Sequence, residues 1–262
     1  MKLVRTLLLS VTVLFFYSCD NINEEIYINE DGTGTYIFYS DMVPSLTEMT
    51  MSMTKMFAQM DSTKAPLNED SLRMAIEAKI WDDFPSEIDS ILDFSNEVPK
   101  EVTDDPVGAE MVKRMTGFMK GGKDAGYVNM GVKYSFKSAE DLEAFFQIMK
   151  DNKRDNPQLP SGMLQKLSNI ELESQFTFSK NKISRKTVVP ENIDLDIETD
   201  DIKKLIPVSK GRTIIHLPRK VKEAKGESIV KVDGKTVILE YDLVKSMMGE
   251  VNTDFEITMK KR

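Results

Sequence analysis

The chain is 262 residues long and acidic, with 43 Asp and Glu against 35 Lys and Arg and a formal charge of −8. That balance disfavours nucleic acid and anionic lipid surfaces as partners. A single histidine and a single cysteine exclude the common zinc spacings, a Cys-His catalytic pair and an intrachain disulfide.

The first nineteen residues have the parts of an export signal. Lys2 and Arg5 make a positive start, Leu7 to Phe16 is a ten-residue apolar run, and Ser18-Cys19 follows. A membrane span needs about 20 apolar residues, so this run is too short to be a resident helix and fits a cleaved signal. A small residue immediately before cysteine resembles the lipobox of bacterial lipoproteins. The resemblance implies cleavage before Cys19 and acylation of its sulfur, which would make Cys19 the lipidated N-terminus. Removing Lys2 and Arg5 with the signal takes the formal charge to −10. The expected division is a signal over 1–18, the lipidated Cys19 with a short tether over 19–24, and one domain over 25–262.

Glu25 to Asn29 and Thr33 to Tyr39 read as a β-hairpin around the Asp31-Gly32 turn signal. A helix follows. Met42, Leu46, Met49, Met53, Met56, Phe57 and Met60 fall within about a 100° arc of the helical wheel. Met51 points to the opposite side, and Pro44 is acceptable only in the first turn. Asn68 to Trp81 reads as a second helix. The Pro- and acid-rich segment after it predicts at most one helical turn, around Ile88 to Leu92. A third helix is expected over Val107 to Met119, where Met111, Met115 and Met119 recur at i+4, and Gly121 to Gly126 closes this section.

Beyond it the period changes to two. Val128, Met130, Val132, Tyr134 and Phe136 alternate with polar residues as in a half-buried strand. Ser138 caps a helix, with Asp141 completing a capping-box pattern and Leu142, Phe145, Phe146 and Met149 as its apolar face. Further strands are expected at Ile170 to Phe178, Ile183 to Val189, Ile193 to Ile197, Thr213 to Leu217, Ile229 to Val232, Lys235 to Tyr241 and Phe255 to Met259. Thr199 caps a short helix between them. Asp233-Gly234 is the strongest two-residue hairpin signal in the chain. Strands at both ends and hairpin connections predict an α+β fold with a mainly antiparallel sheet. A helix packs on that sheet, and a helical insertion occupies about 43–120, after the first hairpin.

The run "INEDGTGTYIF" before a Met-rich helix, then Ile88 to Pro99 and "VKYSFKSAEDLEAFF", resembles uncharacterised envelope lipoproteins of Bacteroidetes-type bacteria. Ile215 to Leu243 is similar to the ends of LppM-like lipoprotein domains, where a strand ending in Pro leads through a Gly-containing loop to a "DGK" hairpin. The latter resemblance implies a lipid-associated role in the envelope.

Catalytic signatures are missing from the sequence. It has no G-x-S-x-G, and "GGKDAG" lacks the Walker spacing. His216 alternates with Ile215 and Leu217 and reads as a sheet-face residue, not a general base. Met49, Met51 and Met53 have the soft ligands that select Cu(I), but a helix turns Met51 away from the other two. Asp194, Asp196 and Glu198 resemble half a calcium loop without its glycine, and a solvated strand face accounts for them more simply. Two readings of Met49, Met53, Met56 and Met60 stand: core packing, or a groove for an apolar ligand. The expected protein is a non-enzymatic envelope lipoprotein, without cofactor or metal, held to a membrane by acyl chains on Cys19. Its role is to bind a protein partner or to build structure; the alternative is a carrier or sensor of a small hydrophobic ligand such as lipid.

Overall fold

The computed structural model describes residues 21–60, 68–92, 100–151, 173–188, 210–247 and 249–261. Its strands form two sheets, the larger in the order β10-β11-β8-β1-β2-β5-β4-β3 and the smaller in the order β6-β7-β12-β9. The large sheet contains β1 (Asn21–Ile28), β2 (Gly34–Asp41), β3 (Ile88–Leu92), β4 (Met115–Gly122), β5 (Tyr127–Phe136), β8 (Lys210–His216), β10 (Ile229–Asp233) and β11 (Thr236–Asp242). The small one contains β6 (Glu173–Phe178), β7 (Lys182–Val188), β9 (Val221–Lys225) and β12 (Phe255–Met259). Among these strands all pairings are antiparallel except β1 with β8. The α+β class and mainly antiparallel sheets are therefore as the hydrophobic periods predict.

The first hairpin turns where expected. Gly32 takes φ +87°, and Asp31 accepts hydrogen bonds from the Thr33 amide at 3.0 Å and the Thr33 hydroxyl at 2.8 Å. A left-handed backbone suits glycine, and an Asp side chain can organise its own turn. Helix α1 (Met42–Met60) follows β2 directly, and α2 (Glu69–Asp83) packs beside it. Asn68 caps α2, accepting from the Ser71 amide at 3.0 Å.

The segment between α2 and β5 departs from expectation. Ile88 to Leu92 is strand β3, not a helical turn, and pairs with β4. The helix expected over Val107 to Met119 ends early: α3 (Lys100–Asp104) and α4 (Pro106–Val112) precede β4. Met115 and Met119 instead face Tyr134 and Met130 across the β4–β5 ladder. Thr116, Gly117, Gly121 and Gly122 weaken helix beyond Val112, and β5 offers a pairing edge that outweighs the i+4 methionines. The insertion at 43–120 is thus helical only in part. The tether also shortens, because β1 begins at Asn21 and residues 21–24 are strand.

Helix α5 (Ala139–Asp151) starts after Ser138, whose hydroxyl accepts from the Asp141 amide at 3.2 Å. The Asp141 carboxylate returns to the Lys137 amide at 2.8 Å, one residue earlier than a capping box requires. Strand β9 and the short α6 (Leu243–Met247) carry no clear periodic signal and were not expected. The strand over Ile193 to Ile197 and the helix capped by Thr199 lie outside the described residues.

One face of the large sheet is covered. Ile26, Tyr36, Tyr134, Ile215 and Val237 meet Phe176, Ile183, Phe255 and Ile257 of the small sheet, with Leu142 and Phe145 of α5 joining the same core. Tyr134 stacks on Phe145 at 4.2 Å between centroids. Farther along that face, Met42 and Val43 of α1 cover Val128 and Met130 of β5 in a second, smaller cluster.

Candidate functional site

Successive residues of a strand point to opposite faces. On β1 this sends the neighbours Glu24 and Glu25 to opposite sides of the large sheet, and each gathers hydroxyl donors. Glu24 points toward the small sheet. It accepts from Tyr36 Oη on β2 at 3.0 Å, Thr213 Oγ1 on β8 at 2.8 Å and Arg185 Nη1 on β7 at 3.2 Å. Arg185 is 5% exposed and also donates through Nη2 to the Thr253 carbonyl at 3.1 Å, while its guanidinium carbon lies 5.3 Å from the Phe255 ring centroid. Tyr241 of β11 completes the group, its hydroxyl 3.4 Å from Thr213 Oγ1. Gly211 makes room for that ring, since a Cβ there would collide with the Tyr241 side chain.

Glu24 is compensated within the cluster, although Arg185 Nε is buried without a hydrogen-bond partner among the described residues. A charge removed from water needs a partner and hydrogen bonds, and Glu24 has both. Burial, reinforced by the Glu24 carboxylate, pushes the Tyr36 phenol well above its ordinary range. The same two causes push Tyr241 up to about 12. Both phenols are therefore fixed as hydrogen-bond donors at neutral pH. Tyr36 holds the carboxylate directly, and Tyr241 lies beside it through Thr213.

Glu25 makes the complementary arrangement on the outer face. Tyr27 Oη donates to Oε2 at 2.6 Å and Tyr39 Oη to Oε1 at 2.9 Å. His216 of β8 stacks on Tyr27, with centroids 4.1 Å apart and planes 8° from parallel, and its Nε2 lies 3.8 Å from Glu25 Oε2. Burial and then the bond to Glu25 push Tyr27 up to about 12, and Tyr39 is pushed up for the same reasons. His216 is thus a sheet-face residue in an aromatic stack, as its alternation predicts.

The residues singled out in the sequence are placed unevenly. Cys19 lies outside the described residues, as do Asp194, Asp196 and Glu198. Met49, Met53, Met56 and Met60 all fall on α1, but only Met53 has a described side chain, 48% exposed. Met51, placed by the wheel on the opposite side, is 2% exposed, while Met42 of the expected arc is buried and Leu46 packs against the same cluster. Among the described side chains of α1, Met42, Val43, Ser45, Thr47 and Met51 are buried, with Val43, Thr47 and Met51 at i+4 spacing. Thr47, Thr50 and Thr54 each donate to the carbonyl four residues back at 2.8 Å. A threonine satisfied in this way can pack like an apolar residue, and a count of apolar residues alone overlooks it. Among the described residues no group of three or more His, Cys, Asp or Glu could hold a metal ion.

Sequence reading missed Glu24, Tyr36, Arg185, Thr213 and Tyr241 as a group. A signal was present in the alternation: Glu24 shares its face with Ile22, Ile26 and Ile28, and Arg185 shares its face with Ile183. A charge in an inward position of a buried strand requires a partner. The pattern does not say which strand supplies it.

No family model matches the chain, and no curated protein matches it. Among solved structures, the NMR structure of the folded domain of the Mycobacterium tuberculosis LppM protein resembles it with a TM-score of 0.40 and 8% sequence identity. The match covers 92% of this chain and 88% of that one. A likeness at that score and identity says nothing about what this chain does.

Proposed function

We propose that this chain is an envelope lipoprotein, anchored by acyl chains on Cys19, whose folded domain acts by binding or by structure and not by catalysis. The observation that carries the proposal is the position of Cys19. The chain's only cysteine follows a positive start and an apolar run too short to span a bilayer. Acyl chains then replace a spanning helix, each buried methylene contributing about 0.8 kcal/mol, and stable attachment takes more than one chain. Among the described residues no helix is long and apolar enough to cross a membrane. The two carboxylate clusters support a non-catalytic role, since their phenols are held as donors and their acids are engaged with partners within the fold.

Cys19→Ser tests the anchor. The variant should incorporate no labelled palmitate and should keep its signal. Labelling equal to that of the parent would refute the assignment.

A second reading, a carrier of a small apolar ligand, rests on Met53 and Met74. These are 48% and 65% exposed on the paired helices α1 and α2, and methionine surfaces accept varied apolar partners. Loss of fluorescent fatty-acid binding in a folded Met53→Gln variant would support it.

A further inference from the structure

We infer that the end of the large sheet at Asn21 rests directly on the phospholipid headgroup layer, leaving the opposite end facing away from the membrane. This rests on the lipidation of Cys19 proposed above. Only Asp20 separates Cys19 from Asn21, and an extended chain spans at most about 3.3–3.6 Å per residue. The acylated residue therefore lies within about 7 Å of the first strand residue. Nor can β1 peel away to lengthen the tether. It is an interior strand, with Ile22 paired to Ser40 of β2 and Asn21 and Ile22 paired to Lys210 and Gly211 of β8. Releasing it would break ladders on both sides.

The same register fixes what shares that end. Asp242 lies beside Lys210 on β11, Asp41 ends β2 opposite Asn129, and Tyr127 and the turn Lys123 to Gly126 lie farther out along β5. The rim chemistry suits headgroups. Asp41 Oδ1 accepts from the Val43 and Val128 amides, both at 3.1 Å, and Asp242 Oδ1 accepts from the Lys245 amide at 2.9 Å. These carboxylates are turned to the backbone, while Lys210 and Lys123 are exposed, the latter 3.6 Å from Asp82. Tyr127 is 39% exposed, and an aromatic ring with a polar tip sits well at headgroup depth. With an acidic chain overall, the expected surface is zwitterionic. At about 3.3 Å per residue, β1 and β11 put the turns at Gly32 and Gly234-Lys235 roughly 20–25 Å farther from the bilayer.

Because Cys19 is the only cysteine and is consumed by acylation, Lys210→Cys and Lys235→Cys each give a single labelling site. The acylated full chain, carrying a fluorophore at one site, is reconstituted in phosphatidylcholine vesicles containing a headgroup-quencher lipid. Quenching should be several-fold stronger at 210 than at 235. Inserting a Gly-Ser linker of about 20 residues after Asp20, roughly 25 Å in root-mean-square span, should abolish the difference. Equal quenching at both sites without the linker, or stronger quenching at 235, overturns the inference. So does shielding of 210 from a water-soluble quencher without lipid quenching, which would mean that a second copy of the chain covers this end. Intact mass of the same sample separates the two claims. A chain without acyl groups defeats the lipidation reading itself, whereas an acylated chain with equal quenching defeats only the orientation.

Discussion

Glu24 and Arg185 are 161 residues apart in the chain, yet Arg185 Nη1 donates to Glu24 Oε2 at 3.2 Å between the two sheets. The pair joins the strand nearest the proposed anchor to β7 of the small sheet. Tyr36 and Thr213 hold the carboxylate from the strands on either side of β1. The contact is a clasp between layers, made where an apolar pair could also have packed.

Removing one partner should be costly. Arg185→Leu leaves a largely buried carboxylate without its cation, and breaking such a pair typically costs about 3–5 kcal/mol. The double variant Glu24→Leu with Arg185→Leu should recover part of that loss, because no charge remains unpaired. It should not recover all, since Tyr36 and Thr213 lose their acceptor. Urea denaturation of the two singles and the double closes the cycle. Additive losses would show that the two side chains do not act together.

Alkaline pH should loosen the same region. Tyr241 has its folded-state phenol raised to about 12, by burial first and then by Glu24. A raised value means that the fold favours the neutral phenol. The stabilisation is complete below about pH 10, where an unfolded tyrosine titrates, and is lost as pH rises from there through about 12. Stability measured by denaturant at intervals across that window should fall less steeply in Tyr241→Phe than in the parent. Identical slopes would assign the loss to other groups, Tyr27 among them.

Two methionines on α1 should behave oppositely. Met51 is 2% exposed and Met53 is 48% exposed. Truncating a buried Met to Ala costs about 2–5 kcal/mol, whereas an exposed substitution usually stays within about 0.5 kcal/mol. Thermal melts of Met51→Ala and Met53→Ala should separate clearly. A destabilised Met53→Ala with an unaffected Met51→Ala would restore the wheel setting expected from the apolar residues alone.

The opening of α5 gives a prediction on the acid side. Burial alone would push the Asp141 carboxyl up, but hydrogen bonds from Arg114 and from the Lys137 amide hold it below its ordinary value. A lowered carboxyl stabilises the fold above the unfolded value near 4 and loses that contribution as pH falls through the folded one. Asp141→Asn should therefore flatten the parent's acid denaturation profile. An unchanged profile would remove Asp141 from the acid response.

Regular alternation made most strands legible. Phe255–Met259 carries an uninterrupted period of two, Tyr127–Phe136 keeps it except at the buried Gly131, and the Gly32 and Gly234 turns have the glycine that their positive φ requires. Legibility failed where a local pattern competed with a distant partner. Met111, Met115 and Met119 keep helical spacing, but the last two pair with β5. Glu24 looked like the end of a polar tether because its partners lie far away in the chain. An apolar count on α1 passed over the buried Thr47, since threonines bonded to their own helix carry no apolar signal. The candidate site was thus the least legible part: its members come from five strands, and sequence spacing does not link them.

The central claim is that Cys19 is the acylated first residue of a domain whose sheet begins at Asn21. Mass spectrometry of the N-terminal peptide, from protein purified out of its own envelope, tests this most directly. The account predicts a peptide that starts at Cys19 and carries more than one acyl chain. A peptide with Cys19 as a free thiol, or a mature chain starting at any other residue, would contradict it.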